Sequence, residues 1–329
     1  MRGLTWSSFG PAGEVLKLRD LPIPDAGPGE VLVRIRFSGV NPSDTRATAG
    51  GRPGVTQPPF PLIVPHSDGS GEIAAVGQGV DPARVGQRVW LWNAQWRRAF
   101  GTAAEFVALP SEQAVPLPEG ISLEAGAVLG IPGLTATHAV LADGPVAGKV
   151  VLVSGGAGSV GHLAVQAAQA AGAEVIATAH GTLGIDAARA AGAHHVLDYR
   201  DPDLAGAILR ASGGRLVDRA VEVEFGRNID TLAQVMAEGG TIAAYGSAQE
   251  MTPRLPFYPL MFKAVRIDCV LVYLLSPEAR TRATASLTAM LEHGEVAPRI
   301  AHVLPLERGA EAHELVEAGK RRGAVLLEL

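Results

Sequence analysis

Hydrophobic and polar residues alternate strictly from Val31 to Phe37 (VLVRIRF), as in a strand with one buried face. Ile73–Val76 and Arg88–Trp92 read as further strands, separated by glycine and proline turns. Around Ile121 the texture changes. The segment ISLEAGAVLGIPGLTATHAVL spaces its apolar residues with helical period, interrupted at Pro132 and Gly133. From Lys149 to about Gly246 short apolar runs alternate with helical stretches. Strands are predicted over 150–154, 174–178, 196–197, 217–223 and 241–245, and helices over 159–171, 185–191, 202–211 and 228–237. That alternation predicts a parallel sheet covered on both faces. After Phe262 come an apolar strand over 267–274, a long helix over 277–292 and a final strand, Ala324–Leu327. The class is α/β: a β-rich part joined to a doubly wound parallel sheet.

Within that pattern one stretch carries chemistry. Lys149 to Gly172 reads KVVLVSGGAGSVGHLAVQAAQAAG, an apolar strand running into Gly155-Gly156-Ala157-Gly158-Ser159-Val160-Gly161 and then into an alanine-rich helix. Glycines in such a turn allow positive φ and let a pyrophosphate approach the backbone. The helix start offers free N–H groups and a positive dipole end. With 40 glycines in the chain, the spacing alone says little. Its place between strand and helix points to a nucleotide site. The competing explanation is a turn whose glycines serve only close helix–strand packing.

Composition narrows the partners. The 329 residues carry 28 Lys+Arg against 33 Asp+Glu, and a net charge of −5 gives no general attraction to nucleic acid. The first residues lack the apolar core of a signal peptide, and the apolar runs are strand-length. The expectation is a cytoplasmic chain with no membrane partner. A single cysteine, Cys269, excludes an internal disulfide and a cysteine-based zinc cluster. With no basic neighbour in an apolar run, it is expected to be buried and structural.

Several segments together carry a resemblance: Gly39-Val40-Asn41-Pro42-Ser43-Asp44-Thr45, Gly71-Glu72-Ile73-Ala74-Ala75-Val76-Gly77, Val85-Gly86-Gln87-Arg88-Val89, Gly133-Leu134-Thr135-Ala136, the 155–161 turn and Ala191-Gly192-Ala193. From end to end the chain resembles the zinc-free quinone oxidoreductase (zeta-crystallin-like) branch of the medium-chain dehydrogenase/reductase superfamily. The resemblance implies a partly open, GroES-like catalytic domain from residues 1–121 and 263–329. A Rossmann NADP-binding domain over 122–262 is inserted in it, with the cofactor held between the two. Zinc-dependent relatives supply a cysteine near Gly39-Val40 and a histidine where this chain has Ser67, while His66 sits one residue early. One histidine and nearby carboxylates fall short of the three or four ligands of a zinc site, so no metal is expected.

An acid about 20 residues past the glycines marks NAD-preferring folds, and the Ala177–Thr182 segment has none. The expected cofactor is therefore NADPH. The resemblance offers Tyr199 as a contact to its 2′-phosphate. Where relatives often carry a lysine, this chain has Gly184, so His180 or Arg200 stands in. Thr135 is implied beside the nicotinamide, and Gly246 and Ser247 at the end of the fifth strand face the cofactor.

On the substrate side Asn41 matches an asparagine whose amide donates to a carbonyl oxygen. Arg46, where relatives carry tyrosine, either polarises an acceptor oxygen or clamps an acidic substrate. Otherwise it pairs with Asp44 or stays exposed. Trp90, Trp92 and Trp96 fall within seven residues. They form either core or an aromatic wall, with Trp92 and Trp96 lining the substrate pocket and Tyr273 reaching it. The expected partner is a quinone or enone, and a homodimer is expected to pair through Val270-Leu271-Val272. The leading function is NADPH:quinone reduction. Reduction of an enone, enal or enoyl-thioester C=C bond is the near alternative. A zinc alcohol dehydrogenase and a non-catalytic nucleotide binder are more distant ones.

Overall fold

The alternating segment extends to Glu30–Val40 and becomes the strand on which a whole sheet is organised. The computed structural model describes residues 1–51, 54–319 and 321–329. Numbered along the chain, the strands are β1 (Arg2–Thr5), β2 (Lys17–Asp20), β3 (Glu30–Val40), β4 (Asp68–Val76), β5 (Arg88–Leu91), β6 (Phe106–Pro110), β7 (Ala114–Pro116), β8 (Val150–Val153), β9 (Glu174–Ala179), β10 (His195–Asp198), β11 (Val217–Glu222), β12 (Met236–Ala244), β13 (Arg266–Cys269), β14 (Ile300–Pro305) and β15 (Ala324–Glu328). The α-helices are α1 (Ala12–Val15), α2 (Pro42–Thr48), α3 (Leu123–Gly126), α4 (Leu134–Leu141), α5 (Ser159–Ala170), α6 (Gly181–Ala190), α7 (Leu204–Ala211), α8 (Phe225–Val235), α9 (Phe257–Phe262), α10 (Pro277–Glu292) and α11 (Gly309–Glu317).

The chain divides into two units, Met1–Ile131 with Pro298–Leu329, and Pro132–Ala297. The first holds a seven-stranded sheet in the order β14-β15-β3-β4-β5-β7, with β6 also on β3. The long β3 serves two partners in turn: Glu30–Arg34 pair with β6, and Phe37–Val40 with β15. Its period-two face, Val31, Val33 and Ile35, is buried against Ile73, Val89 and Leu109, while Arg34 and Arg36 point to solvent. A second core gathers Trp6, Val64, Leu304, Leu306, Ala312 and Val325.

The second unit holds six parallel strands in the order β10-β9-β8-β11-β12-β13. Counted within the unit this is 3-2-1-4-5-6, the doubly wound order, with its switch point between β8 and β11. All four residues of β8 are buried, as expected of a strand covered on both faces.

Three expectations need correction. The apolar run after Phe262 leaves the strand at Cys269, because its partner β12 ends opposite at Ala244; Val272–Leu274 form a 3-10 turn. Cys269 is exposed on that edge strand. Residues 263–297, assigned from the sequence to the catalytic domain, lie in the second unit, where β13 completes the parallel sheet and α10 packs on α4. Among the described residues no helix is long and apolar enough to cross a membrane.

Candidate active site

The glycine turn closes β8 in the second unit. Gly155 takes φ +68°, and its N–H donates to Thr178 Oγ1 (3.2 Å) while Gly156 N–H donates to the Thr178 carbonyl (2.9 Å), tying the turn to β9. Two glycines answer to the protein's own packing. A Cβ on Gly156 would meet the Ala177 methyl at 2.9 Å, and one on Gly161 the Gly155 carbonyl at 2.2 Å. Gly158 is different. It is exposed, and a Cβ there would make only an ordinary contact at 3.4 Å. Packing does not require that glycine, so the open space above it suits an outside group that must reach the backbone. Ala157, Ser159 and Val160 are partly exposed around it, and the first N–H groups of α5 face the same end. The residues present therefore fit a dinucleotide pyrophosphate.

At the far end of β9, His180 Nδ1 lies 3.0 and 3.1 Å from the two Asp198 carboxylate oxygens, and its ring sits 5.5 Å from that of Tyr199. Asp198 also accepts the Arg200 N–H (2.9 Å). That backbone bond, then His180, holds the carboxyl below its usual range. Tyr199 and the Arg200 side chain are exposed. An acid thus does stand at this end, contrary to what the 177–182 segment alone indicated. The parallel register that sets Asp198 opposite Ala179 delivers it from the neighbouring strand. Its charge is already engaged by two donors.

Thr135 is buried on α4, and Tyr273 is buried in its 3-10 turn. Gly246 follows β12 so closely to the chain at Val223 that a Cβ would meet that carbonyl at 2.4 Å. Ser247 Oγ accepts the Gly226 N–H (2.9 Å) and donates to the Glu250 carbonyl. The residue that sequence reasoning passed over here is Glu222, fully buried at the switch point. It accepts from Ser154 Oγ (2.5 Å), Glu224 N–H (2.5 Å) and Asn228 Nδ2 (2.9 Å).

In the first unit Asn41 caps α2. Its N–H donates to the Asp44 carboxylate (2.8 Å), and its Nδ2 donates to Asp68 Oδ2 (2.8 Å). Asp68 is fully buried, wedged where a Cβ on Gly130 would strike Oδ1 at 2.3 Å. Burial first, and then the charge of Asp44, raise its carboxyl well above the usual value. Asp44 is thus bound to the Asn41 backbone, and Arg46 is exposed and makes no ion pair with it: the pairing considered from the sequence does not form. Trp90 is fully buried core, Trp92 is half-buried just past the end of β5, and Trp96 lines a pocket.

Behind Asp68 runs a buried polar chain. Thr102 Oγ1 donates to the Asp68 carbonyl (2.5 Å), so it accepts from Ser38 Oγ (2.7 Å). Ser38 in turn accepts from His66 Nδ1–H (2.8 Å). The neutral His66 ring then has a bare Nε2, which accepts from His313 Nε2–H (2.9 Å). Burial holds both histidines neutral, with His313 pushed down to about 4, and His313 Nδ1 is left without a partner. The ends of this chain lie 247 residues apart in sequence, and His66 adopts a left-handed φ of +77° to enter it. Each histidine spends its Nε2 on the other, and no group of three His, Cys, Asp or Glu able to hold a metal occurs among the described residues.

Against known proteins, the family described as Alcohol dehydrogenase GroES-like domain matches residues 27–119, and Zinc-binding dehydrogenase matches 159–289. The quinone oxidoreductase of Rattus norvegicus is 31% identical over 334 residues, covering 100% of this chain and 98% of its own. The chain belongs to the quinone oxidoreductase branch of the medium-chain dehydrogenase/reductase superfamily. It is an oxidoreductase. A mycobacterial protein solved in complex with NADPH superposes with a TM-score of 0.88 at 28% identity, and an NAD-dependent alcohol dehydrogenase with 0.88 at 30%, each covering 100% of both chains. In this oxidoreductase the GroES-like match falls inside the first unit and the dehydrogenase match inside the second.

Proposed function

We propose that this oxidoreductase transfers hydride from NADPH to a quinone or a related conjugated carbonyl without zinc. One observation carries the reading: a glycine turn at the end of β8 in which Gly158 answers to no contact of the protein's own. When bound, NADPH supplies the hydride. The turn residues Gly155–Gly161 hold the pyrophosphate, and His180, Tyr199 and Arg200 receive the 2′-phosphate. Asp198 orients His180 for that role by accepting from its Nδ1–H. Thr135, Gly246 and Ser247 complete the cofactor side. On the acceptor side Asn41 has one amide hydrogen committed to Asp68 and a second free for an oxygen on which charge grows. The absence of zinc from the reading is supported by the donor set, since an amide stands at Asn41 and the two histidines serve each other.

Titration of NADPH and NADH by nicotinamide fluorescence tests the cofactor assignment. NADPH is expected to bind more tightly, and Arg200→Ala to weaken NADPH alone by about 1–3 kcal/mol. Equal or tighter NADH binding overturns it.

We further infer a homodimer formed across the open edge of β13. The pairing segment is Arg266–Cys269 rather than 270–272, because that is where the strand lies. Exposed Ile267, Leu271 and Leu274, with Phe257, Tyr258 and Phe262 on α9, give the edge an apolar surround suited to a second copy. Light scattering at micromolar concentration tests this, and a monomer contradicts it.

A further inference from the structure

The first unit contains a pocket of about 340 Å³, inside the range of about 300–1,000 Å³ usual for small-molecule sites. Aromatic rings dominate its wall: Trp6, Phe9, Phe60 and Trp96, with Val55 beside them and Arg97 at one side. The wall is built rather than incidental. Trp6 and Phe9 hold their rings 5.8 Å apart, and Gly50 is required behind Phe9, since a Cβ there would meet the ring at 2.9 Å. Phe9, Phe60 and Trp96 all remain partly exposed.

The backbone around this pocket is strained where sequence economy would have used glycine. Among the described residues four non-glycine residues take positive φ, and three of them, His66 (+77°), Asn93 (+53°) and Arg97 (+58°), belong to the two loops that meet here. The loops are stitched together by Ala94 N–H to the Ser67 carbonyl (3.0 Å) and Thr102 N–H to the His66 carbonyl (3.0 Å). Left-handed backbone at an ordinary residue costs about 1 kcal/mol or more and tends to persist where it positions a side chain for use. At Arg97 it sets the guanidinium 5.5 Å over the Trp96 ring, exposed and in no ion pair among the described residues. Arg46, next in sequence to the lining residue Ala47, is a second exposed cation without one.

A flat aromatic wall with a cation stacked at its edge matches one class of ligand. We propose that this pocket binds a planar fused-ring acceptor bearing a carboxylate or sulfonate, its ring on Trp96 and its anion on Arg97. The ligand class as an acceptor rests on the reductase reading, while the binding site itself does not. Stacking supplies affinity for any flat ring. The unpaired guanidinium supplies the preference for an acid, through a charge-assisted bond that a neutral amide cannot replace.

The test measures binding and turnover separately. By calorimetry, the redox-inert 2-naphthoate is expected to bind about tenfold more tightly than 2-naphthamide, the scale of one charge-assisted bond. Arg97→Asn, a residue that tolerates the left-handed backbone, is expected to bring that ratio close to one. Trp96→Ala should weaken both ligands, and Trp96→Phe should recover part of the loss. In turnover, the preference in kcat/KM for a sulfonated over a neutral naphthoquinone should fall in Arg97→Asn in step with the binding ratio. Equal affinity for naphthoate and naphthamide, or a ratio indifferent to Arg97→Asn, overturns the assignment even if quinones are reduced. If naphthoate binds as described and no quinone is reduced, the pocket stands and the reductase reading fails.

Discussion

Each unit buries one carboxylate completely, and the two are furnished differently. Glu222 of the second unit accepts three hydrogen bonds, from Ser154, Asn228 and the Glu224 backbone. Asp68 of the first accepts one of good geometry, from Asn41; the Ile131 N–H favours its charge without closing a proper bond to Oδ1. Burial raises both carboxyls, but at Glu222 the donors pull back, whereas at Asp68 burial is reinforced by the charge of Asp44. A carboxylate saturated with donors fixes backbone at the switch point. One left short of donors favours its neutral form, beside the amide proposed to meet substrate.

The comparison breaks first at Glu222. Glu222→Ala strands three buried donors and is expected to cost about 3 kcal/mol or more in urea unfolding, each lost partner being worth about 1–3 kcal/mol. A cost under 1 kcal/mol would mean that the three donors find water instead.

His313 gives the next effect. Its folded-state value of about 4 lies below the usual 6.5, so the neutral form contributes stability above pH 6.5 that is lost as pH falls toward 4. The loss is about 3 kcal/mol across that window. His313→Gln keeps a donor for His66 but does not titrate, so its stability should be flatter there. Parallel pH profiles for the two proteins would refute a neutral His313.

Asn41→Ala should lower kcat and kcat/KM together, by roughly 10²-fold, if the amide acts, as proposed, on charge that grows in the transition state. A rise in KM alone would reduce Asn41 to a binding contact. The smallest effect is expected at Asp68→Asn at acid pH, within about 1 kcal/mol below the usual carboxyl range, since the amide imitates a neutral acid. The sign is distinctive. With its carboxyl raised in the fold, Asp68 contributes stability below the usual carboxyl range that is lost as pH rises through the folded value. Asp68→Asn should remove that decline, leaving the variant relatively more stable toward alkaline pH.

These contrasts also mark what sequence alone disclosed. The Gly155–Gly161 turn and the buried β8 and β9 were readable because their signals are local: glycine spacing, apolar runs and helical period. The end of β13 was not, because the apolar run from Ile267 to Leu274 looks alike as strand or 3-10 turn until β12 runs out opposite it. For the same reason Cys269 was expected inside and lies on an open edge. Asp68 with Asn41, His66 with His313, and Asp198 with His180 are brought together by register and tertiary packing. No periodicity reports such pairs. The acid Asp68 beside Gly69 was the available hint.

The central claim, a zinc-independent reductase of conjugated carbonyls, meets its most direct test in acceptor-dependent NADPH oxidation by exhaustively chelated protein. The measurement compares 1,4-naphthoquinone, an enal and, in the reverse direction, a primary alcohol with NADP⁺. Quinone-dependent oxidation that survives chelation, with the alcohol inert, is the predicted result. Turnover confined to the alcohol, and lost with the metal, would contradict it.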